Sequence, residues 1–357
     1  MNRRQLSHFV YGWYDIGGTG GGGGWGDVIP FSNRPDLTDY SASNKGGSTA
    51  GNKEPTPSPV VVVDDGGAPY TAARQLEKLL IKNPLALIDI PCDQLAKWQE
   101  VSSFIPPKSV TDKLKNLDNN YTSIISGDWD IQYIENASSP IVNMDYFPVS
   151  ISQLPKDPAT GTTFTPANFF NHVRKNLNSF FEGNSTTFGP YNATEAALWN
   201  SNNYLGAIMR FDIAPVQIGG LTFVQQDGSV ICSYQNGNIW RFTTIESPQD
   251  WSHPVSGTRE FGLTANADGT YTFYTRGVDR VAESTDDFMG SLPLMTTAYD
   301  GGDALWTQFQ NNLTAFVNKP ENGGAAQKVA PRISRPDWEK VKAVLRGERP
   351  ISDFGCK

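Results

Sequence analysis

Cysteine and histidine, the residues that most often bind metals or form nucleophile–base pairs, are scarce in this chain. Its 357 residues include three cysteines and three histidines. Cys92, Cys232 and Cys356 lack the spacing of zinc ligands, and their number is odd. The sequence therefore predicts no metal, no other cofactor and no disulfide framework. Because Cys232 ends the apolar run Val230–Cys232, it is expected to be a buried free thiol.

Long apolar runs are also missing. Runs such as Val60–Val63 and Leu85–Ile88 are far shorter than the roughly 20 residues that a membrane-spanning helix needs. The first residues, MNRRQLSHFV, begin with positive charge but contain no apolar core and no small-residue cleavage site. The sequence therefore predicts no membrane insertion and no standard signal peptide. That leaves either a cytoplasmic location or export by a leaderless route.

Familiar catalytic motifs are absent as well. The chain has no GxSxG elbow, no HExxH helix, no phosphate-binding loop and no dinucleotide fingerprint. The aspartate pairs Asp64–Asp65 and Asp286–Asp287 lack the alternating ligand pattern of a calcium loop. An ordinary hydrolase, kinase or dehydrogenase therefore has no support in the sequence.

Positive charge is in deficit over most of the chain. Residues 71–318 carry 15 Lys/Arg and 25 Asp/Glu, whereas residues 319–357 carry nine and five. An acidic body argues against broad nucleic-acid binding, which depends on many phosphate contacts. The basic end is typical of a solvated helix, and a local contact arm is the alternative.

Glycine and proline are concentrated in residues 1–70, which hold 14 of the 34 glycines and the runs GGTGGGGGWG and EPTPSP. Such a stretch buries too little apolar surface to offset the entropy lost on ordering. It predicts a disordered Gly/Pro-rich arm that acts as a tether or display linker.

Residues 71–357 are expected to form a single soluble globular α+β body, an antiparallel sheet with flanking helices. The expected order is a helical start over 71–120, a strand-rich centre over 128–280 and a helical end over 284–350. These assignments follow from the spacing of apolar residues, which changes from helical to alternating and back.

Local signals support this order. Asn236–Gly237 is typical of a tight hairpin turn. Apolar residues at three- and four-residue spacing predict a helix over Asp303–Val317. The alternating segments Asp128–Glu135 and Ile141–Ile151 are predicted to pair as a hairpin.

Polar residues able to do chemistry are concentrated in two segments of the strand-rich centre. His253, Arg259 and Glu260 lie in a loop and the strand after it, and Arg276 and Arg280 lie in the following strand. A hairpin would place Arg259 and Glu260 roughly opposite Thr275 and Arg276 and gather these groups near one sheet end.

This grouping supports two interpretations. In the first, His253 and Glu260 are candidate catalytic groups, and Arg259, Arg276 and Arg280 are candidate substrate-binding groups for a phosphate or carboxylate. In the second, the same charges form ion pairs that hold the hairpin together.

The segments HPVSG at His253–Gly257, REFG at Arg259–Gly262 and YTRGVDR at Tyr274–Arg280 resemble a family of uncharacterised proteins from Bacteroidetes, chiefly flavobacteria. The resemblance extends over roughly residues 80–357. No activity is established for that family, so the resemblance assigns no functional residue. It implies a variable low-complexity front joined to a constant rear body, similar to proteins whose rear part is delivered or displayed.

Two function classes fit these observations. The first is a tethered binding or displayed module without demonstrable catalysis, whose partner is an unknown protein or a small anionic ligand. The second is a toxin-like effector domain that acts on a small anionic or phosphate-bearing substrate through the His/Arg/Glu group. The sequence leaves open whether the chain is an enzyme.

Overall fold

The structure is a computed structural model that describes residues 92–120, 128–183, 186–212, 217–218, 221–222, 227–282 and 298–354. The arm predicted over residues 1–70 and the start of the predicted body lie outside these ranges. The description below concerns the described ranges alone.

Six α-helices lie in these ranges: α1 Cys92–Ser102, α2 Lys108–Asn119, α3 Pro166–Lys175, α4 Ala193–Asn200, α5 Ala298–Asn318 and α6 Trp338–Leu345. Twelve strands accompany them: β1 Asp130–Ile131, β2 Asn143–Gln153, β3 Thr187–Pro190, β4 Ile208–Asp212, β5 Gln217–Ile218, β6 Leu221–Thr222, β7 Gly228–Asn236, β8 Ile239–Glu246, β9 Val255–Ala265, β10 Tyr271–Val281, β11 Ala325–Lys328 and β12 Arg332–Ser334. None of the helices described is long and apolar enough to cross a membrane.

One antiparallel sheet organises the fold. Its strand order is β11-β2-β10-β9-β8-β7-β4-β3, with β1 paired to β8 and β12 paired to β2. The consecutive strands β7 to β10 form a meander, and the predicted Asn236–Gly237 turn joins β7 to β8. The predicted α+β class with an antiparallel sheet is therefore confirmed.

The predicted hairpin between Asp128–Glu135 and Ile141–Ile151 is wrong. Asp130 pairs with Glu246 of β8, whereas β2 pairs with β10. A short 3-10 turn at Ile134–Asn136 interrupts the first segment. The segment between β1 and β2 therefore leads from the strand next to β8 to the strand next to β10. The Arg280 side chain donates to two carbonyl oxygens of this segment, those of Ile134 and Ser139.

The two faces of the sheet carry different layers. Helices α3 and α5 pack on one face, which we call the inner face, and α1 and α6 pack on the other, the outer face. Aromatic rings fill the space between α5 and the sheet; Trp240 and Phe261, for example, stack at 4.7 Å between ring centroids. The inner face therefore serves as the main hydrophobic core.

Cysteine pairing departs in part from the sequence prediction. Cys232 is a buried free thiol, as predicted, and burial raises its pKa to about 12. Cys92, at the start of α1, is disulfide-bonded, a bond that the sequence analysis did not predict. An odd number of cysteines leaves room for one pair, and sequence spacing does not show which residues pair.

Thiol counting checks this assignment. We expect one reactive thiol per chain in denaturant without reductant, and all three after reduction, because the chain has three cysteines and one disulfide-bonded pair is implied. Labelling with a thiol reagent followed by intact-mass measurement gives both numbers. Three reactive thiols without reductant would contradict the disulfide.

Candidate functional site

Three neighbouring strands present ordered rows of side chains on the outer face. Thr243 of β8, Thr258 of β9 and Val278 of β10 lie directly opposite one another. Two residues along each strand, about 7 Å away, a second row consists of Arg241, Glu260 and Arg276. Uncharged and charged rows are therefore adjacent on one surface.

A groove of about 170 Å³ lies over the first row. We call it the outer groove. The end of α1 with the following loop, Val101–Pro106, lines it together with Gln132–Glu135. It is further lined by Thr243, Gly257, Thr258, Val278, Arg346 and Glu348. Its volume is similar to that of an engineered protein cavity of about 150 Å³ that holds a benzene molecule.

Hydroxyl groups line one part of the outer groove. Thr258 Oγ1 lies 3.2 Å from Thr243 Oγ1, which lies 2.8 Å from Ser233 Oγ. The Ser102 Oγ atom is buried and has no hydrogen-bond partner within the described part of the chain. A buried hydroxyl without a partner is energetically costly.

Apolar side chains are exposed at the mouth of the groove. Ile105 is 77% exposed and Tyr133 is 39% exposed. Within the described ranges, the other exposed large apolar residues are Trp251 and Val329. Two of these four, Ile105 and Tyr133, line the outer groove.

Arg280 supports one wall of this groove. Its Nη1 donates to the Ile134 carbonyl oxygen at 2.9 Å, and its Nε donates to the Ser139 carbonyl oxygen at 2.8 Å. The guanidinium also lies 4.8 Å from the ring centroid of Trp338. The structure thus places this predicted substrate-binding residue against the backbone of the segment that forms the wall.

His253 supports the same wall from the other side. Its backbone N–H donates to Gln132 Oε1, and Gln132 Nε2 donates to its carbonyl oxygen, both at 2.8 Å. The imidazole Nδ1 lies 2.9 Å from the Val255 carbonyl oxygen. The ring crosses Gly228 so closely that a Cβ there would lie 2.3 Å from it. His253 is therefore packed in place.

The protonation of His253 gives a pH test. Burial lowers its pKa from 6.5 to about 4, opposed by the Val255 hydrogen bond. The His253 ring of the unfolded chain binds a proton near pH 6.5, whereas that of the folded chain binds one only near pH 4. The free energy of unfolding therefore falls as the pH is lowered from 6.5 to 4. The loss amounts to about 3 kcal/mol. The NMR shift of the His253 ring should stay constant from pH 8 to 5; a midpoint above pH 6 would contradict this packing.

Glu260 is the centre of the charged row. Its carboxylate accepts from Arg241 Nε and from the Tyr274 hydroxyl, both at 2.8 Å, and from Arg276 Nη1 at 3.4 Å. Tyr274 reaches it by lying across Gly262, where a Cβ would come within 2.4 Å of the phenol. The register confirms that Glu260 and Arg276 are directly opposite each other.

Arg276 is the least satisfied member of this row. Its guanidinium lies between Tyr146 and Tyr274, 4.7 and 4.9 Å from their ring centroids. Its Nε atom is buried and has no hydrogen-bond partner among the residues described. The contact with the two rings stabilises the charge in place of further hydrogen bonds.

Arg259 lies on the inner face and is separated from this row by the sheet itself. Its Nη1 and Nη2 donate to the two carboxylate oxygens of Asp145 at 2.7 and 2.6 Å. The side chain crosses β10 over Gly277, where a Cβ would lie 2.3 Å from Nη2. Arg259 is paired with Gly277, and not with Thr275 as the sequence indicated.

A second carboxylate adjoins this ion pair. Asp279 Oδ2 lies 3.6 Å from Arg259 Nη2, and Asn143 Nδ2 lies 3.4 Å from both Asp279 oxygens. Burial raises the pKa of Asp279 to about 7; Arg259 opposes this shift and Asp145 adds to it. This cluster holds α5 through the ring of Trp306, 4.1 Å from the Arg259 guanidinium.

The structure therefore divides the predicted site residues among three places. Glu260 and Arg276 are together in the charged row, Arg259 is on the inner face, and His253 and Arg280 support the wall of the outer groove. Their roles in catalysis or substrate binding stay a prediction. In the described ranges, no three His, Cys, Asp or Glu side chains are grouped so as to hold a metal ion.

Sequence reasoning missed Asp145 and the groove. Asp145 could have been found, since Asn143 and Asp145 alternate with apolar residues in a strand whose composition predicts burial, and a buried carboxylate needs a partner. The groove had none, because Ser102, Tyr133 and Thr258 come from distant parts of the chain.

No family model and no curated protein matches this chain. Some solved structures are similar to about half of it. A truncated norcoclaurine synthase from Thalictrum flavum shares 11% identity over 49% of this chain and 96% of that chain, with a TM-score of 0.29. Protein Ms6760 from Mycobacterium smegmatis shares 11% identity over 53% of this chain and 98% of that chain, with a TM-score of 0.29. Human STARD10 shares 8% identity over 59% of this chain and 81% of that chain, with a TM-score of 0.28. Similarity this low defines no activity.

Proposed function

We propose that this chain is a binding module and that the outer groove receives one ring-sized apolar group of a partner protein. The proposal is based on the size and the lining of the groove. About 170 Å³ is less than the roughly 300–1,000 Å³ typical of small-molecule sites. It matches a single side chain, and interfaces between proteins concentrate their binding energy in a few such anchors seated in pockets.

The exposed mouth supports the same proposal. Ile105 and Tyr133 are available to cover the inserted group and to contact the partner around it. Apolar area that a partner removes from water contributes about 25 cal/mol per Å² before the costs of association. A displayed module at the end of the predicted arm over residues 1–70 is compatible with this role.

The alternative from the sequence, an effector acting on a small anionic substrate, relies on His253 and Glu260 as catalytic groups. A buried imidazole with a pKa near 4 is a poor proton donor at neutral pH. Glu260 already accepts hydrogen bonds from Arg241 and Tyr274. The buried Nε of Arg276, which has no partner among the described residues, favours an anion. No reaction is assigned to this chain.

Calorimetric titration of the full chain with toluene tests the groove. We expect saturable binding with a 1:1 ratio and a Kd of roughly 1 mM, because a seven-carbon ring compound can gain about 4 kcal/mol in a fitting cavity.

Two phenylalanine substitutions complete the design. Ser102→Phe places a ring in the groove and is expected to abolish toluene binding, whereas Ser152→Phe on the exposed end of β2 is expected to leave it unchanged. Melting temperatures of both variants show that the chain remains folded. Toluene binding that is absent from the unmodified chain, or that persists in Ser102→Phe, would refute the proposal.

A further inference from the structure

We propose that Asp279 is a pH-sensitive switch within the fold. Its carboxyl group binds a proton in slightly acidic solution and releases it in slightly alkaline solution, and the bound proton strengthens the attachment of α5 to the sheet. This inference goes beyond the proposed function and does not depend on the outer groove. It is based on the hydrogen bonds of the Asp279 carboxyl group, on the charges around it and on the contacts of these charges with α5.

Two neighbouring carboxyl groups on the inner face differ sharply in their hydrogen bonds. Asp145 accepts four, from Arg259, Gly277 and Asn143, with lengths from 2.6 to 3.0 Å. Asp279 is 8% exposed, and its nearest donors among the described residues are Asn143 at 3.4 Å and Arg259 at 3.6 Å. Burial favours the uncharged acid, and donors this distant do little to stabilise a carboxylate. Asp279 is therefore the carboxyl group of this pair that holds a proton.

Negative charge is in excess around Asp279. Arg259 of β9 donates both Nη atoms to Asp145 of β2. Arg335, from the segment before α6, also attracts the charge of Asp279, but its Nη2 donates to Asp303 of α5 at 2.6 Å. Three carboxyl groups therefore face two guanidinium groups within the described ranges, and a proton on Asp279 leaves one guanidinium for each remaining carboxylate. The pKa of about 7, to which burial raises this group, agrees with that arrangement.

Both guanidinium groups hold α5. Arg335 contacts the helix through Asp303, and the Arg259 guanidinium lies 4.1 Å from the ring centroid of Trp306, about one turn further along. Ionised Asp279 attracts Arg259 and Arg335 away from these contacts. A proton on Asp279 removes this competition, so the attachment of α5 is expected to be tighter at pH 6 than at pH 8.

Chemical denaturation of the full chain at pH 6 and pH 8 tests the switch against Asp279→Asn, which has the shape of the protonated side chain and no charge. The carboxyl group binds its proton near pH 7 in the folded chain and near pH 3.8 in the unfolded chain. The unfolding equilibrium constant of the unmodified chain, divided by that of the variant, should therefore rise about tenfold from pH 6 to pH 8. This ratio cancels the contribution of His253, which both chains share.

Asp268→Asn, in the exposed turn between β9 and β10, is the matched control. Hydrogen bonds from Thr270 lower the pKa of Asp268, so its carboxylate is ionised at both pH values. The corresponding ratio for this variant should not change. A ratio that is equally constant for Asp279→Asn would overturn the switch.

NMR titration of the unmodified chain gives a second measurement, which does not depend on the folding of a variant. The Asp279 carboxyl carbon should titrate with a midpoint above pH 6, and the indole N–H signal of Trp306 should shift with the same midpoint. A midpoint below pH 6 for Asp279, or a midpoint near pH 7 on Asp145 instead, would overturn the assignment of the proton. A Trp306 signal that stays constant from pH 6 to pH 8 would overturn the link to α5.

Discussion

Truncating Phe309 to alanine is expected to lower the free energy of unfolding by ~3–5 kcal/mol. Phe309 is fully buried on α5 and lies where that helix meets the sheet. Its ring centroid lies 6.0 Å from that of Phe261 on β9 and 5.9 Å from that of Phe273 on β10. Alanine would leave a cavity between the helix and the sheet, because the surrounding rings are held by one another and close it only in part.

Chemical denaturation of the full chain measures this loss. Asn311→Ala, at an exposed position on the same helix, is the control and should change stability by no more than about 0.5 kcal/mol. A loss for Phe309→Ala as small as that of the control would show that α5 is not packed on the inner face.

Replacing Asp145 by alanine is expected to cost ~3–5 kcal/mol as well, for an electrostatic reason. Asp145 is 1% exposed and accepts from both Nη atoms of Arg259, from the Gly277 backbone at 3.0 Å and from Asn143 at 2.8 Å. Its removal leaves the Arg259 guanidinium buried with Asp279 as its nearest carboxylate, at 3.6 Å. A largely buried guanidinium that loses its two short hydrogen bonds and keeps only this longer contact is strongly destabilised.

A double-mutant cycle separates this explanation from a simple packing loss. Combining Asp145→Leu with Arg259→Met removes both charges and keeps apolar volume, so the double variant should be much more stable than either single variant. Additive losses in the double variant would contradict the ion pair.

The elements that the sequence predicted are those set by local chemistry. Thr165 caps α3 by accepting from the Asn168 backbone at 3.2 Å, and Pro166 begins the helix. The apolar stripe of α5 and the Asn236–Gly237 turn also depend on neighbouring residues alone. Strands β11 and β12 were missed because they are four and three residues long and carry no alternating pattern.

The candidate site depended on information that is not local. Adjacent residues of a strand point to opposite faces, so Arg259 and Glu260 could not serve one site, and this much was available from the sequence. Tyr274 passes over Gly262, and Arg259 passes over Gly277. These contacts can be predicted only when the pairing register of β9 and β10 is known. The groove needs tertiary structure, because Ser102, Tyr133 and Thr258 meet only after the sheet is formed.

Mapping of backbone amide NMR shifts during titration with toluene tests most directly the claim that the outer groove is the binding site. We predict saturable shifts concentrated at Val101–Ile105, Gln132–Glu135 and Thr258, with little change at α5 or at the inner-face residues around Arg259. Shifts concentrated on α5 and the inner face, or no saturable shifts at all, would contradict the assignment of the outer groove.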